Sequence, residues 1–249
     1  MQPSDHIPAR REFKYLVDPS RLPALRAALQ PWCDLDANAG PDGTYALRSL
    51  YFDAPDMRLF HANEREASVR FKARVRCYPE APGSPILAEI KFRNGDVIRK
   101  TRTRLPLDDW TRGLRAGGGA LDPFVVRMNH HDLRPVALVD YRREAWMSRV
   151  DEYARVSIDS LIRCQAMDRL SLEAHPGRWR TIDHPLIAIT PSSPYVLELK
   201  WADFAPAWMV QLVQGLDLLR QSFSKYANSM LSLAEDQYRD YREAQSVWG

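Results

Sequence analysis

Little in this chain points to secretion, membranes or a metal cluster. Only three cysteines occur in 249 residues, Cys33, Cys77 and Cys164, and none has Cys-x-x-Cys spacing. An odd, scattered set argues against a disulfide framework and a zinc cluster, and fits a reducing compartment. The N-terminal residues carry no apolar core, so no secretory signal is expected. No run of about 18 apolar residues is available to cross a bilayer, so membrane attachment would need a partner. An excess of one charge is also missing. Lys and Arg total 35 and Asp and Glu 32, a formal balance of +3, which does not announce a nucleic-acid binder.

Familiar catalytic motifs are missing too. Gly117, Gly118 and Gly119 are not followed by the Lys-Ser/Thr pair of a phosphate-binding P-loop, and read as a plain loop. Adjacent His130 and His131 would point apart, so a surface helix end is the simpler reading than a metal site. No Ser-His-Asp or Cys-His arrangement can be argued. What remains is an ordinary globular composition, 45% hydrophobic and 27% charged, sufficient for a sizeable core. The expected organisation is a tail over residues 1–9 followed by one domain over 10–249.

Strands dominate the pattern. Expected strands are Arg10 to Val17, Thr44 to Phe52, Ala67 to Tyr78, Ile86 to Phe92, Val97 to Leu105, Pro135 to Met147, Tyr153 to Cys164 and Tyr195 to Trp201. Asn94-Gly95 marks a hairpin, and Asp53 to Asp56 a turn. Helices are expected from Arg21 to Leu29 with Ser20 as cap, from Asp122 to His131, along the Trp208, Leu212, Leu216 and Leu219 stripe, and from Tyr226 to Tyr241 with Ser224 as cap. Arg115 to Ala120 and residues 166 to 194 read as loops. The fold class expected is α+β, an antiparallel sheet curled into a barrel with helices outside.

Side chains on a strand alternate between two faces. In Arg70 to Arg76 one face is wholly cationic, and the other carries Phe71, Ala73 and Val75. The other strands repeat this. The charged faces, with Arg48 added, collect 13 cations (Lys14, Arg48, Arg70, Lys72, Arg74, Arg76, Lys91, Arg93, Lys100, Arg102, Arg104, Arg155, Lys200) and four carboxylates (Glu12, Glu89, Asp159, Glu198). A solvated sheet face is the plain alternative. It would normally mix both signs, because like charges directly across strands destabilise a sheet. This face needs a counter-charge, and a polyanion supplies one. If the charged face turns inward, low-dielectric walls strengthen every contact with phosphate oxygens. Arginine's planar fork suits bidentate phosphate binding, and lysine adds point charges. Single-stranded RNA fits less well, because Phe71 and Phe92 fall on the opposite face and no aromatics interleave with the cations. Glu198, Glu89 and Glu12 are candidate ligands for a divalent metal, each competing with a structural ion pair.

Several segments together resemble the VTC (vacuolar transporter chaperone) polyphosphate polymerase domain, a branch of the triphosphate tunnel metalloenzymes. They are Arg11 to Tyr15, Arg48 to Asp53, Lys72 to Tyr78, Glu89 to Lys91, Lys100 to Arg102, Tyr141 to Ala145, Arg155 to Asp159, Leu197 to Lys200 and Ser222 to Tyr226. The resemblance implies a closed antiparallel β-tunnel and transfer of the γ-phosphate of ATP onto a growing inorganic polyphosphate chain, with Mn2+ or Mg2+. It implies catalytic cations at Lys14, Arg74, Arg76, Lys91, Arg143 and Lys200, with Lys100, Arg102, Arg155 and Lys225 on the phosphate chain and Glu198 on the metal. Arg48 and Lys72, from the charged faces, join the phosphate-binding set. The wider superfamily opens on Glu-x-Glu-x-Lys; here Arg10 stands at the first position before Glu12 and Lys14, which leans toward the polymerase branch. The alternatives are a triphosphate hydrolase of the same fold and a non-catalytic polyphosphate-binding module. The expected partners are ATP and polyphosphate or triphosphate, and no nucleic acid. The expected location is the cytoplasm, at the inner face of a membrane where a membrane-protein partner holds it.

Overall fold

Alternating apolar and polar side chains mark the long strands of this chain. The computed structural model describes residues 7–95, 97–115, 122–184 and 194–234. Ten strands form one antiparallel sheet: β1 (Ile7–Val17), β2 (Cys33–Leu35), β3 (Tyr45–Asp53), β4 (Val69–Cys77), β5 (Ile86–Asn94), β6 (Val97–Leu105), β7 (Arg134–Ser148), β8 (Arg155–Ala166), β9 (Arg180–Thr181) and β10 (Tyr195–Trp201). The helices are α1 (Leu22–Leu29), α2 (Arg58–Glu64), α3 (Trp110–Arg115), α4 (Pro123–His131), α5 (Ala207–Gly215) and α6 (residues 225–234).

Eight strands pair in the order β7-β3-β4-β5-β6-β1-β10-β8, and β8 pairs back onto β7 from Ala137↔Ala166 to Met147↔Arg155. The result is a barrel, with β2 and β9 as short extensions beside β7 and β8. One seam is weak. Among the described residues β1 registers with β6 at Ile7↔Lys100 and Arg10↔Ile98, with a shift between them. Beyond it the chain near residue 220 covers the β1 edge: Gln221 N donates to the Lys14 carbonyl, and Tyr15 bridges to Arg220.

The outer wall is apolar, and two sets of helices cover it. Phe71, Ala73, Val75, Ala88 and Ile90 pack with Leu59 of α2, Leu114 of α3 and Phe124 of α4. Val156, Ile158, Leu197 and Leu199 pack with Leu22, Leu25 and Leu29 of α1 and with Trp208, Met209 and Leu212 of α5. Helix α6 closes part of one end of the barrel from within. Its Tyr226 stacks on Tyr51, with ring centroids 5.3 Å apart, and donates its hydroxyl to Asp53. Asp53 also accepts from the backbone N–H groups of Leu59 and Phe60, so it caps α2 from the barrel interior.

Several local expectations need correction. The first strand starts at Ile7, inside the expected tail. Ser20 is not a cap; its N–H and hydroxyl both donate to Asp18, which caps a 3-10 turn ahead of α1. The stripe expected to run to Leu219 ends with the helix at Gly215, and Leu219 is 72% exposed. Helices α2 and α3 and strands β2 and β9 went unforeseen, because each is too short to establish a period. Ser224 does cap α6, its hydroxyl accepting from Ala227 N. The part of the last expected helix beyond residue 234, and the glycine run Gly117 to Gly119, lie outside the described residues.

Candidate functional site

The barrel interior is where the charged faces meet. On β4, Arg70, Lys72, Arg74 and Arg76 point inward, opposite Arg93, Lys91, Glu89 and Leu87 of β5. Lys100 and Arg102 of β6 register against Lys91 and Glu89. Glu12 and Lys14 of β1 face Lys200 and Glu198 of β10, which stand beside Arg155 and Ser157 of β8. Arg143 of β7 pairs with Asp159 of β8, and Lys225 enters from the first turn of α6. Two contiguous cavities follow this interior. One of about 490 Å³ includes Arg74, Arg76, Lys100, Arg102, Arg143, Arg155 and Lys200. The other, of about 530 Å³, includes Lys14, Arg70, Lys72, Lys91 and Arg93, and they share Glu12, Lys91 and Ile98.

The few carboxylates sit among these cations. Glu89 accepts from Arg74 at 2.8 Å and from Arg102 at 3.1 Å, and also pairs with Lys100. Glu12 accepts from Lys91 at 2.7 and 2.8 Å. Glu198 gathers Lys14 at 2.9 Å, Lys200 at 2.5 Å, Arg143 at 3.5 Å and Lys225 at 3.7 Å. Asp159 takes both arms of Arg143 at 2.6 and 2.7 Å, and Lys225 at 2.5 Å. Burial opposes ionisation of Glu198, but Lys14, Lys200, Lys225 and Arg143 outweigh it and hold the carboxyl well below its usual range. Burial likewise opposes ionisation of Glu89, and the surrounding cations overcome it. On the cationic side, burial works against Arg143, yet Asp159 and Glu198 hold it well above its ordinary value.

Other cations lack such a partner. Among the described residues no carboxylate pairs with Lys72, whose ammonium donates to the Ser224 hydroxyl at 2.7 Å. Arg76 is buried, and among the described residues it bonds to uncharged groups, the Tyr141 hydroxyl at 2.5 Å and the Ser49 hydroxyl at 3.3 Å. Burial, with Lys14 and Lys91 nearby, holds the Lys72 ammonium well below the usual lysine range. A phosphate oxygen beside it would restore the charge. Tripolyphosphate binding is therefore expected to take up a proton between the depressed free value and the raised bound one, and affinity to fall as pH rises through that window. Calorimetry from about pH 7 to about pH 10, in buffers of different ionisation enthalpy, reads the uptake. It should shrink in Lys72→Met, and heats independent of the buffer would refute the coupling.

The interior thus brings together all the expected site residues except one. Arg48 points the other way. On β3 it shares a face with Leu50 and Phe52, and Tyr45, Leu47, Ser49 and Tyr51 alternate with it. Its guanidinium is bound outside the barrel by Asp140 at 2.8 Å on both arms and by the Leu172 carbonyl at 3.0 Å. Arg104, counted with the charged faces, lies at the rim. The tyrosines were missed: Tyr51 accepts from Arg74 at 3.1 Å, and Tyr141 from Arg76. The alternation Ser49, Tyr51 against Leu50, Phe52 was the available signal. His130 and His131 end α4, with His131 against the Phe71 ring at 5.2 Å.

An antiparallel barrel with helices outside and a bore lined by lysine and arginine defines a triphosphate tunnel fold. The sequence matches the family model for the VTC domain over residues 9–234, and the chain belongs to that family. A solved structure of a candidate adenylate cyclase from Bacillus halodurans shares the fold, with TM-score 0.55 and 11% identity over 88% of this chain and 96% of that one. A candidate adenylyl cyclase from Hippeastrum, described as having a dominant triphosphatase activity, aligns with TM-score 0.48 and 13% identity over 91% of this chain and 97% of its own. A candidate adenylate cyclase from Vibrio parahaemolyticus aligns with TM-score 0.48 and 12% identity over 89% of this chain and 97% of its own. Comparison with curated proteins gives no match.

Proposed function

We propose that this protein is a metal-dependent polyphosphate polymerase that moves the γ-phosphate of ATP onto a growing phosphate chain inside the barrel. The observation that carries this reading is the inward-facing set of cations, present in excess of the carboxylates among them. Phosphoryl transfer asks little covalent chemistry of a protein; it needs the phosphates held in line and their charge offset. Arg74, Arg76, Lys91, Lys100, Arg102, Arg143, Lys200 and Lys225 are suited to both tasks, with Lys14, Lys72 and Arg155 along the same chain. Two contiguous cavities give the bore room for more phosphates than one nucleotide carries.

Among the described residues no three His, Cys, Asp or Glu side chains converge as a metal cage. A Mg2+ or Mn2+ ion that takes its other ligands from phosphate oxygens and water needs only one or two carboxylates. Glu12 and Glu198, which share Lys14 at 3.7 and 2.9 Å, fit such an ion. Glu89 is enclosed by Arg74, Lys100 and Arg102 instead, and the ion-pair reading suits it better. Held there by Glu12 and Glu198, a divalent ion would supply charge compensation for the phosphates.

Among the described residues no helix is long and apolar enough to cross a membrane. A membrane-protein partner, if one carries the enzyme to a bilayer, belongs to this proposal. The test is incubation with ATP and Mn2+, followed by separation of the products on a gel. Phosphate chains that lengthen with time are the expected result. Free phosphate with no long product would instead make the protein a hydrolase. Salt-sensitive polyphosphate binding with no turnover would make it a binding module.

A further inference from the structure

The two ends of the bore differ in chemistry. The 530 Å³ cavity beside the chain near residue 220 is rich in cations, with Lys14, Arg70, Lys72 and Lys91 among its walls and only Glu12 and Glu66 as carboxylates. At the other end, the 490 Å³ cavity adjoins a third of about 680 Å³, and the two share Asp36, Tyr45, Tyr78 and Arg102. This vestibule is balanced, three arginines against the carboxylates of Asp36, Asp42 and Glu80. Much of the remaining wall is apolar or aromatic, including Pro41, Ala46, Pro85 and the rings of Tyr45 and Tyr78. Those rings lie 6.1 Å apart, tilted by 45°.

Arg142 holds the vestibule together. It donates to Thr44 at 2.9 Å, to Glu80 at 2.8 Å and to Asp42 at 3.1 Å, joining the chain before β3 to the chain after β4. Its charge is spent on those partners, so it is not offered to phosphate. A phosphate chain gains little in a neutral, ring-lined space and much among the cations of the adjoining cavity. An uncharged planar group has the opposite preference, because base–aromatic stacking is worth having and the rings of the bore are already taken, Tyr51 by Tyr226 and Tyr141 by Arg143 and Lys225.

We infer that this vestibule is a nucleoside site: it holds the base and ribose of a nucleoside triphosphate against Tyr78 and Tyr45 while the phosphates enter the bore past Arg102. The inference rests on the proposed use of ATP and fixes its direction. The nucleotide enters through the vestibule, and the phosphate chain extends toward the Lys72 and Arg70 end. Glu80, which Arg142 engages through Oε1, offers its other oxygen as an acceptor for a ribose hydroxyl or a base amino group.

Calorimetry with ATP and with inorganic tripolyphosphate, on the wild type, Tyr78→Ala, Tyr78→Phe and Ser84→Trp, tests it. The wild type should bind both ligands. Tyr78→Ala removes a ring and Ser84→Trp fills the vestibule; each should weaken ATP by about tenfold or more, the loss of roughly one base–aromatic stack. Tripolyphosphate, which has no base, should be affected far less, and Tyr78→Phe should restore ATP binding. If both disruptive variants bind ATP as the wild type does, the vestibule is not the nucleoside site and the tunnel reading survives. If ATP and tripolyphosphate weaken in parallel, the cavity merely shapes the bore and the inference is overturned. If the wild type binds neither ligand, the tunnel reading fails and the nucleoside site fails with it.

Discussion

Arg74→Ala is expected to lower ATP turnover by at least about a hundredfold, the size of effect seen when a charge-stabilising donor is removed from an enclosed site. The protein should remain folded. Arg74 projects into the bore, where its guanidinium meets Glu89 at 2.8 Å and Tyr51 at 3.1 Å, and it fills no core space. Glu89 keeps Lys100 and Arg102 when Arg74 is gone, so no carboxylate is left buried and alone. Turnover assays paired with thermal melts separate the two quantities. Wild-type turnover in Arg74→Ala would remove this wall of the barrel from the site, and Lys200→Ala gives the same test from the β10 side.

For Glu198→Gln the expected change is in the metal requirement: about tenfold or more Mn2+ for half-maximal activity, because one of the two carboxylates proposed as ligands becomes a neutral amide. The same substitution removes a charge that Lys14, Lys200, Arg143 and Lys225 all approach within 4 Å. Those cations lose compensation, and a drop in thermal stability is expected that tripolyphosphate partly restores by supplying the missing negative charge. The two roles are separable. A stability loss with an unaltered metal titration would leave Glu198 as an ion-pair centre only, and strike it from the ligand set.

Much of the architecture was readable in the order of residues. The long strands β4 to β8 and β10 announce themselves by alternation, and the hairpin at Asn94-Gly95 by a glycine that takes φ +57°. That Arg74 and Arg76 share a face, with Phe71, Ala73 and Val75 on the other, follows from the period of two. The error at Arg48 has the same logic. A cation surrounded by Leu50 and Phe52 at even spacing belongs to the apolar face, and the weight of charge elsewhere obscured that local signal.

The sequence by itself determined which side chains line which face of each strand, because the pleat alternates regardless of what the strand packs against. Only the tertiary structure decided that those faces turn inward, since closure depends on β7 returning to β3, with Asp140 opposite Arg48, and on β1 crossing to β10 at the far end of the chain. It alone assigned each carboxylate its cations, left Lys72 and Arg76 without a carboxylate partner among the described residues, and set a neutral, tyrosine-lined vestibule beside a cationic bore. These are distances between residues remote in the chain, and local periodicity does not encode them.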